Sequence, residues 1–335
     1  MALFPTVGRK QPLIRFSWWC VALLLSLGVI IHLIPFYFMI TSSLKTGTET
    51  LANPPTIWPQ HVTFAAWMLV LNIASGAGTL MPEPFYLYLW NSLYMTVLTI
   101  LISLPITSMA AYANSKLQRG PAARWTFVYL ISMLMVPQVT TLIPSVFLTL
   151  HFPFAFPRLP TFDSGDPYPS LQIWDTPLAV IIPSLFNGFN FLIFKGFFDS
   201  IPTSVIQAAR VDGGSEFNIF RRIVVPMSVP VFAAAAWLQF SSLWDGNFNF
   251  LWSSLVLRSP DKLPTSVAIY TLINTFTQQG TTSTTLAESQ KTLLEQGLTW
   301  NGLMVLGLLQ TIPIFVMFLV CRNYLLSGIR IRGLK

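Results

Sequence analysis

The polar segment Gln207–Gly213 has the most distinctive combination of small, amide and charged side chains in this chain. It separates two long apolar stretches. It contains two consecutive alanines, Ala208 and Ala209, and the charged residues Arg210 and Asp212. Small residues let another surface approach a helix closely, while amide, guanidinium and carboxylate groups supply hydrogen bonds and ion pairs around it. The combination predicts a docking surface.

The same region contains start and stop signals for two short helices. Pro202 suits the first turn of a helix, because its missing N–H costs nothing there. Gly213 can adopt the left-handed conformation that ends a helix. Ser215 can cap the second helix, Glu216 suits its positive N-terminus, and Pro226 marks where it bends or ends. The sequence therefore predicts a helix, a sharp turn and a second helix.

A simple connector, in which the alanines are ordinary helix formers, is the alternative interpretation. The segment comprises residues 199–226, however, and most connections between helices are shorter. A glycine turn also fixes the angle between two helices, which a passive connector does not require. We therefore favour the docking interpretation.

The composition indicates a membrane protein. The chain has 335 residues, of which 53% are hydrophobic and 9% charged, and its mean hydropathy is +0.61. Soluble domains carry about 25% charged residues. The net charge of +7 does not indicate nucleic-acid binding, because the basic residues lie in short segments between apolar stretches and form no basic surface interleaved with aromatic residues.

Six segments are long and apolar enough to cross a bilayer, which requires about 20 mainly apolar residues. They are residues 18–40, 91–113, 125–149, 177–198, 229–251 and 300–321. The third contains Pro137 and Pro144, so we expect a kink or an early exit from the membrane there. The predicted fold class is an all-α membrane protein with six transmembrane helices.

The distribution of basic residues predicts that both termini are cytoplasmic. With this orientation, 14 of the 19 lysines and arginines lie inside, against five in the long outer loops 41–90, 150–176 and 252–299. The positive-inside rule counts these residues. The expected organisation is an N-terminal segment, a six-span domain that includes the loop at 199–226, and a C-terminal tail: residues 1–17, 18–321 and 322–335.

A few polar and aromatic residues in the predicted spans are candidates for lining a substrate pathway. Aromatic faces together with amide and carboxylate hydrogen bonds can bind a polar solute, and ionisable groups inside a membrane are functional candidates. Polar amides in spans also join helices to one another, so this second role stays open for each amide, and a capping role stays open for the carboxylate. The candidates are Asn187, Asn190, Trp237, Gln239, Trp244 and Asp245.

The sequence contains no recognisable catalytic or cofactor motif. It has no G-x-x-x-x-G-K-[ST] segment for binding ATP, and no nucleophile elbow or H-E-x-x-H pair. Its three histidines, His32, His61 and His151, are not spaced as metal ligands. We therefore expect no enzyme activity, no metal and no cofactor in this chain. A stand-alone secondary transporter of a small polar solute is the main alternative, but no internal repeat supports it.

Several motifs, in order along the chain, resemble permease subunits of binding-protein-dependent ABC importers, and in particular the maltose-type "G" permeases of carbohydrate uptake. The segment Gln207–Gly213 is similar to the cytoplasmic "EAA" loop of that family. The other matching segments are Trp90–Leu93, Ala110–Ala113, Lys116–Gly120, Met135–Pro137, Ile143–Pro144, Phe197–Pro202 and the C-terminal Leu325–Lys335.

The resemblance implies a type I importer permease fold in the cell inner membrane, with a cytoplasmic coupling helix that seats on a separate ATPase. It implies as partners a second homologous permease, two ATPase subunits that bind ATP and Mg²⁺, and an extracytoplasmic solute-binding protein that delivers a sugar, oligosaccharide or polyol. Two departures stand out. Gln207 replaces the usual glutamate of the loop, and the family's Trp-Asn-Asp-Phe pattern is only partly present in Asn247–Trp252.

Overall fold

The computed structural model describes residues 12–71, 83–150, 173–245, 247–277 and 299–330, which form helices and turns with no β-strand among them. The longer helices are α1 (Pro12–Ser43), α4 (Phe85–Tyr112), α5 (Gly120–Met135), α6 (Gln138–Leu150), α8 (Gly188–Ser200), α12 (Val229–Asp245), α13 (Asn247–Val256), α14 (Thr265–Thr277) and α15 (Trp300–Arg330). The shorter ones are α2 (Gly47–Thr50), α3 (Ala65–Leu71), α7 (Pro177–Ile181), α9 (Thr203–Val211), α10 (Glu216–Ile219) and α11 (Val225–Met227).

Four helical stretches in the described residues are individually long and apolar enough to cross a membrane, and two bent pairs of helices bring the number to six when each pair counts as one span. The four are Arg15–Ser43, Phe85–Leu117, Pro177–Ser200 and Trp300–Leu325, and the pairs are Gly120–Met135 with Val139–Leu150 and Glu216–Met227 with Val229–Trp244. Residues 72–82, 151–172 and 278–298, which belong to the expected outer loops 41–90, 150–176 and 252–299, lie outside the described residues. So do residues 1–11 of the expected N-terminal segment and residues 331–335 of the expected C-terminal tail.

The two bent pairs show where proline interrupts a helix and where it does not. The third predicted span breaks at Pro137, where α5 ends and α6 begins, with a bend of 102°. Pro144 was expected to contribute to the kink, but α6 continues through it. The second pair begins at Glu216, ahead of the predicted fifth span at 229–251, and it bends by 79° at Ser228, two residues after Pro226. The predicted kink is therefore confirmed at Pro137.

The residues divide into two compact units, and the first contains α1, α2, α3 and the beginning of α15. Its segment after α1 is organised around the Glu49 carboxylate, which accepts hydrogen bonds from Thr56 Oγ1 at 2.8 Å and from the Gln60 amide at 2.9 Å. Thr299, just before α15, donates to the Gly47 carbonyl at 3.1 Å. These contacts hold the chain that follows α1 against the start of α15.

The core of the second unit lies between α4, α8 and α12. Phe191, Phe194 and Phe198 recur every three or four residues along α8 and are fully buried. Tyr112 at the end of α4 and Phe240 of α12 belong to the same cluster. Because one turn of helix takes 3.6 residues, this spacing places all three phenylalanines on one face, which packs against the neighbouring spans.

At the other end of α4, Asp175 joins the chain before α7 to the chain after α13. Its carboxylate accepts hydrogen bonds from the Arg258 amide at 2.8 Å, the Ser259 amide at 3.0 Å and the Ser259 hydroxyl, and it lies 3.2 Å from Lys262 Nζ. Asn91 near the start of α4 donates to the Asp261 carbonyl at 2.7 Å. We refer to this set of contacts as the Asp175 junction.

Candidate functional site

The segment that the sequence singled out forms two short helices, α9 and α10, joined by a tight turn, and we call residues 203–219 the elbow. Gly213 has φ +80°, the left-handed conformation predicted for it. Its amide donates to the Arg210 carbonyl at 3.0 Å, and the Gly214 amide donates to the Ala209 carbonyl at 2.9 Å. A Cβ on Gly214 would lie 2.8 Å from that carbonyl oxygen, so both glycines are needed for the turn.

Two local details of the elbow differ from the sequence prediction. Pro202 lies one residue before α9, in an extended conformation, and so precedes the first helical turn. Ser215 occupies the N-cap position of α10, but its side chain makes no capping hydrogen bond. The Glu216 carboxylate, placed at the start of α10 as predicted, accepts a hydrogen bond from Arg210.

One face of α9 packs into the second unit and the other is exposed. Ile206 is 2% exposed and anchors the helix in the hydrophobic core. Gln207, Ala208 and Asp212 are exposed, and Ala209 is half-buried. Val211, which the sequence analysis did not single out, is 87% exposed. The elbow therefore presents a polar face with a small residue, Ala208, and with the exposed apolar side chains of Val211 and Phe217. This face is open in the described part of the chain.

Arg210 takes part in an interaction within the elbow. Its Nε donates to Glu216 Oε1 at 2.6 Å, and the hydroxyl of Tyr112 donates to Glu216 Oε2 at 2.9 Å. The hydrogen bond to Glu216 raises the pKa of Arg210, so the guanidinium is charged throughout the accessible pH range. The sequence analysis did not predict either contact of Glu216. Tyr112 lies 104 positions away from Glu216, so no local pattern indicates that they meet.

The end of α4 is tied to the chain that enters the elbow. After Tyr112 the helix widens into a π-helical turn, Ala113–Leu117. In this turn Ser115 donates to Asp199 Oδ1 at 2.6 Å, and Lys116 Nζ donates to the Ile201 carbonyl at 2.8 Å. The chain just before α9 is therefore hydrogen-bonded to the same end of α4 that contacts Glu216.

The predicted pathway amides are largely engaged with other parts of the chain. Asn190 Nδ2 of α8 donates to Gln239 Oε1 of α12 at 2.9 Å, and both residues are buried. The Asn187 side chain caps α8: its Oδ1 accepts a hydrogen bond from the backbone N–H of Asn190 at 2.9 Å. For Asn190 and Gln239 the geometry fits the helix-joining role that the sequence left open.

The two aromatic candidates, Trp237 and Trp244, each pack against another aromatic ring. The Trp237 ring packs edge-on against Phe318, with centroids 5.6 Å apart. Trp244 is buried and stacks on Phe240, with an angle of 7° between the ring planes. Asp245 ends α12, and its side chain lies outside the described part of the chain.

A small cleft in the second unit brings hydroxyl groups together beside Trp244, a predicted pathway residue. Five hydroxyl side chains face it, from α4, α13 and the start of α14: Ser92, Thr96, Thr99, Ser253 and Ser266. Among the described residues, no group of three or more histidine, cysteine, aspartate or glutamate side chains is placed to hold a metal ion.

Apolar helices of membrane-spanning length define a multi-span membrane protein, and an exposed helix–turn–helix is attached to the end of one of them, α4. Comparison with known families agrees. Residues 103–330, more than half of the chain, match the family described as "Binding-protein-dependent transport system inner membrane component", and the chain belongs to this family. It is therefore a permease-type inner membrane component.

Individual relatives match over nearly the whole chain. It is 24% identical over 331 residues to the arabinooligosaccharides transport system permease protein AraQ of Bacillus subtilis (strain 168), covering 98% of this chain and 99% of AraQ. It is 25% identical over 322 residues to the maltose/maltodextrin transport system permease protein MalG of Salmonella typhimurium, covering 93% of this chain and 95% of MalG.

A solved structure has the same fold. A chain in the crystal structure of a bacterial ABC transporter involved in the import of the acidic polysaccharide alginate superposes with a TM-score of 0.72 and 21% sequence identity, covering 93% of this chain and 97% of that one. The expected all-α, six-span type I importer permease fold is confirmed.

Proposed function

We propose that this chain forms half of the translocation pathway of an ATP-driven importer for a carbohydrate, meaning a sugar, an oligosaccharide or a polyol. The observation that carries the proposal is the match over nearly the full chain to permeases named for arabinooligosaccharide and maltodextrin transport. A binding protein outside the membrane delivers the carbohydrate, in keeping with the family's description. The other half of the pathway is a second, homologous permease.

The orientation in this proposal places both termini and the elbow in the cytoplasm. The basic residues support it, because the segments assigned to the inside hold most of them. The Asp175 junction then lies on the outer side, because Asn91 and Tyr112 are at opposite ends of α4. At a rise of about 1.5 Å per residue, these two residues are about 30 Å apart, close to the thickness of the hydrocarbon core.

The exposed face of α9 is the docking surface for a separate ATPase subunit. Gln207 offers a neutral amide where a glutamate is usual, so a hydrogen bond takes the place of an ion pair there. Ala208 lets the partner approach closely, Asp212 supplies the exposed charge, and Val211 adds an apolar contact. Each of the two permeases engages one of two ATPase subunits, which bind ATP and Mg²⁺.

Transport in this scheme is a two-state process. ATP binding draws the two ATPases together, the elbows move with them, and the spans change from inward-facing to outward-facing. ATP and the loaded binding protein each bind the outward-facing state more tightly, and this differential affinity couples hydrolysis to uptake. The elbow performs no chemistry itself; it converts a movement of the ATPase into a movement of the spans.

The substrate route runs along the spans, and the six predicted pathway residues fall into two groups. Asn190 and Gln239 shape the route by joining α8 to α12, and Asn187 does so by capping α8. Trp237, Trp244 and Asp245 remain the candidates for contact with the carbohydrate.

The proposal is tested by assembling the chain with its sister permease, the ATPase and the binding protein in liposomes. Labelled maltotriose, arabinotriose, an alginate trisaccharide and the amino acid proline are supplied with the binding protein outside and ATP inside. We expect ATP-dependent uptake of one of the carbohydrates and none of proline. Uptake of proline alone, or uptake driven without the ATPase, would refute the proposed function.

A further inference from the structure

We propose that the carboxylate of Glu216 is a three-way joint that transmits movement of the elbow to the end of α4, with Arg210 and Tyr112 as its two donors. This inference rests on the proposed function, because it concerns how docking at the exposed face of α9 reaches the membrane spans. All three are positioning residues: they touch neither substrate nor nucleotide.

The geometry of the carboxylate makes it a junction between three separate elements. One oxygen accepts from Arg210 Nε at 2.6 Å and the other accepts from the Tyr112 hydroxyl at 2.9 Å. Arg210 lies in the last turn of α9, Glu216 begins α10 and Tyr112 ends α4. Hydrogen bonds that involve an ionised group are shorter and stronger than neutral ones. A rotation of α9 about the glycine turn therefore acts on α4 through this carboxylate.

Tyr112 cannot follow such a rotation without moving the core. Its ring is buried, and the ring centroid lies 5.3 Å from that of Phe220 and 6.4 Å from that of Phe198. Buried side chains sit in closely packed surroundings that transmit displacement. The hydroxyl therefore links the elbow to aromatic residues on α8 and on the π-helical turn after α10, Phe220–Val224.

Lys116 forms a second connection beside the first. Its backbone carbonyl faces Arg210 Nη2 at 3.4 Å, and its own Nζ donates to the Ile201 carbonyl at 2.8 Å. The end of α4 is thus attached to the chain immediately before α9 and to the last turn of α9. Both ends of the docking helix are held against the same span, as transmission of a movement requires.

This arrangement separates the role of Arg210 from that of its neighbours. Gln207, Ala208 and Asp212 face outward, whereas the Arg210 guanidinium is bound to Glu216 in its own chain. A docking role for Arg210 requires a negatively charged group on the ATPase. A joint requires opposite charges at 210 and 216 together with the Tyr112 hydroxyl, which donates to a glutamate at 216 and can equally accept from an arginine there. The two roles make different predictions for an exchange of the two residues.

The test uses the complete importer in liposomes with four variants: Arg210→Glu, Glu216→Arg, the double exchange Arg210→Glu with Glu216→Arg, and Tyr112→Phe. Two rates are measured together, uptake of the carbohydrate that the wild-type importer accepts and ATP hydrolysis stimulated by the binding protein. Each single reversal is expected to lower uptake per ATP about tenfold or more, because it removes a charge-assisted hydrogen bond and sets like charges together. Tyr112→Phe is expected to lower it several-fold.

The exchange variant decides the question. We expect it to recover uptake per ATP to within about threefold of wild type, since the ion pair is restored with its direction reversed. The control is Arg124→Glu, a charge reversal at an exposed arginine of α5, which should leave the ratio unchanged. An exchange variant as impaired as Arg210→Glu alone would overturn the joint, as would single reversals that behave like wild type.

Assembly is checked by co-purification, so that loss of folding is not mistaken for loss of coupling. Tyr112→Phe keeps the buried ring and provides a variant that folds even when a charge reversal does not. If the wild-type importer takes up none of the carbohydrate probes, the proposed function fails instead. The stimulated ATPase rate of the same variants would still show whether the exchange restores the joint.

Discussion

Asn190 and Gln239 form a buried hydrogen bond of 2.9 Å that joins α8 to α12. The sequence predicts both as pathway candidates and leaves a helix-joining role open, because an amide in a span can bind a sugar or another helix. The structure pairs the two amides, and Asn190 Nδ2 and Gln239 Oε1 are each satisfied by the other.

This pairing predicts how leucine substitutions behave. Gln239→Leu leaves the buried Asn190 amide without its acceptor, and we expect a loss of about 1–2 kcal/mol of stability. Asn190→Leu together with Gln239→Leu removes both partners and should recover most of that loss. The measurement is thermal unfolding of the purified importer in detergent, with uptake measured in parallel. A stable double variant that no longer transports would show that these amides contact the substrate.

The sequence predicts structural features that depend on a single residue's backbone, and it does not predict contacts between residues far apart in the chain. Gly213 and Pro137 act on their own backbone, and both were predicted correctly. Pro144 was expected to kink the chain, but α6 tolerates it, as helices in spans often do. The Glu216 contact with Tyr112 depends on packing between distant segments, which leaves no pattern in either local sequence.

The positive φ of Gly213 predicts a specific sensitivity to added side chains. A Cβ at Gly213 meets nothing within 4 Å, so Gly213→Ala is strained by its backbone conformation alone, at a cost of about 1–2 kcal/mol. We expect the spans to fold and insert normally, while the elbow relieves the strain by changing its angle. Uptake per ATP hydrolysed should fall, as measured in liposomes containing the complete importer.

Gly196→Ala is the matched control for that experiment. Its Cβ also meets nothing within 4 Å, but Gly196 lies inside α8 with an ordinary helical backbone. Alanine is favoured over glycine in a helix, so this variant should be unaffected or slightly stabilised. Equal uptake per ATP in the two variants would show that the angle of the elbow is irrelevant to coupling.

The proposed orientation predicts which engineered cysteines react from outside the cell. Cys20 and Cys321 are first replaced by serine. A membrane-impermeant maleimide should then label Gln60→Cys, an exposed position in the segment after α1, and should not label Ser204→Cys on the elbow. Detergent treatment should make Ser204→Cys reactive. Labelling of Ser204→Cys in intact cells, with Gln60→Cys protected, would reverse the topology and remove the elbow from any cytoplasmic partner.

The Asp175 junction predicts a charge-dependent contribution to the stability of the protein. Burial alone would raise the pKa of the Asp175 carboxyl, but hydrogen bonds from Ser259, the Arg258 amide and Lys262 outweigh it and hold the pKa well below its usual value of 3.8. Because the pKa of this carboxyl is lower in the folded than in the unfolded state, its ionisation stabilises the native state at any pH above the unfolded-state pKa. This contribution is lost as the pH falls through and below about 4. Thermal stability of the importer should decline in that range.

Asp175→Asn removes the charge of the side chain and keeps the backbone conformation. Asp175 has φ 54°, and asparagine adopts this left-handed conformation about as readily as aspartate. The variant keeps one oxygen acceptor and loses the ion pair with Lys262, 3.2 Å away, so we expect a loss of about 1–2 kcal/mol at pH 7. Its stability should also vary less between pH 7 and pH 3 than that of wild type. Parallel pH profiles of the two proteins would show that Asp175 holds the α7 and α13 segments together without its charge.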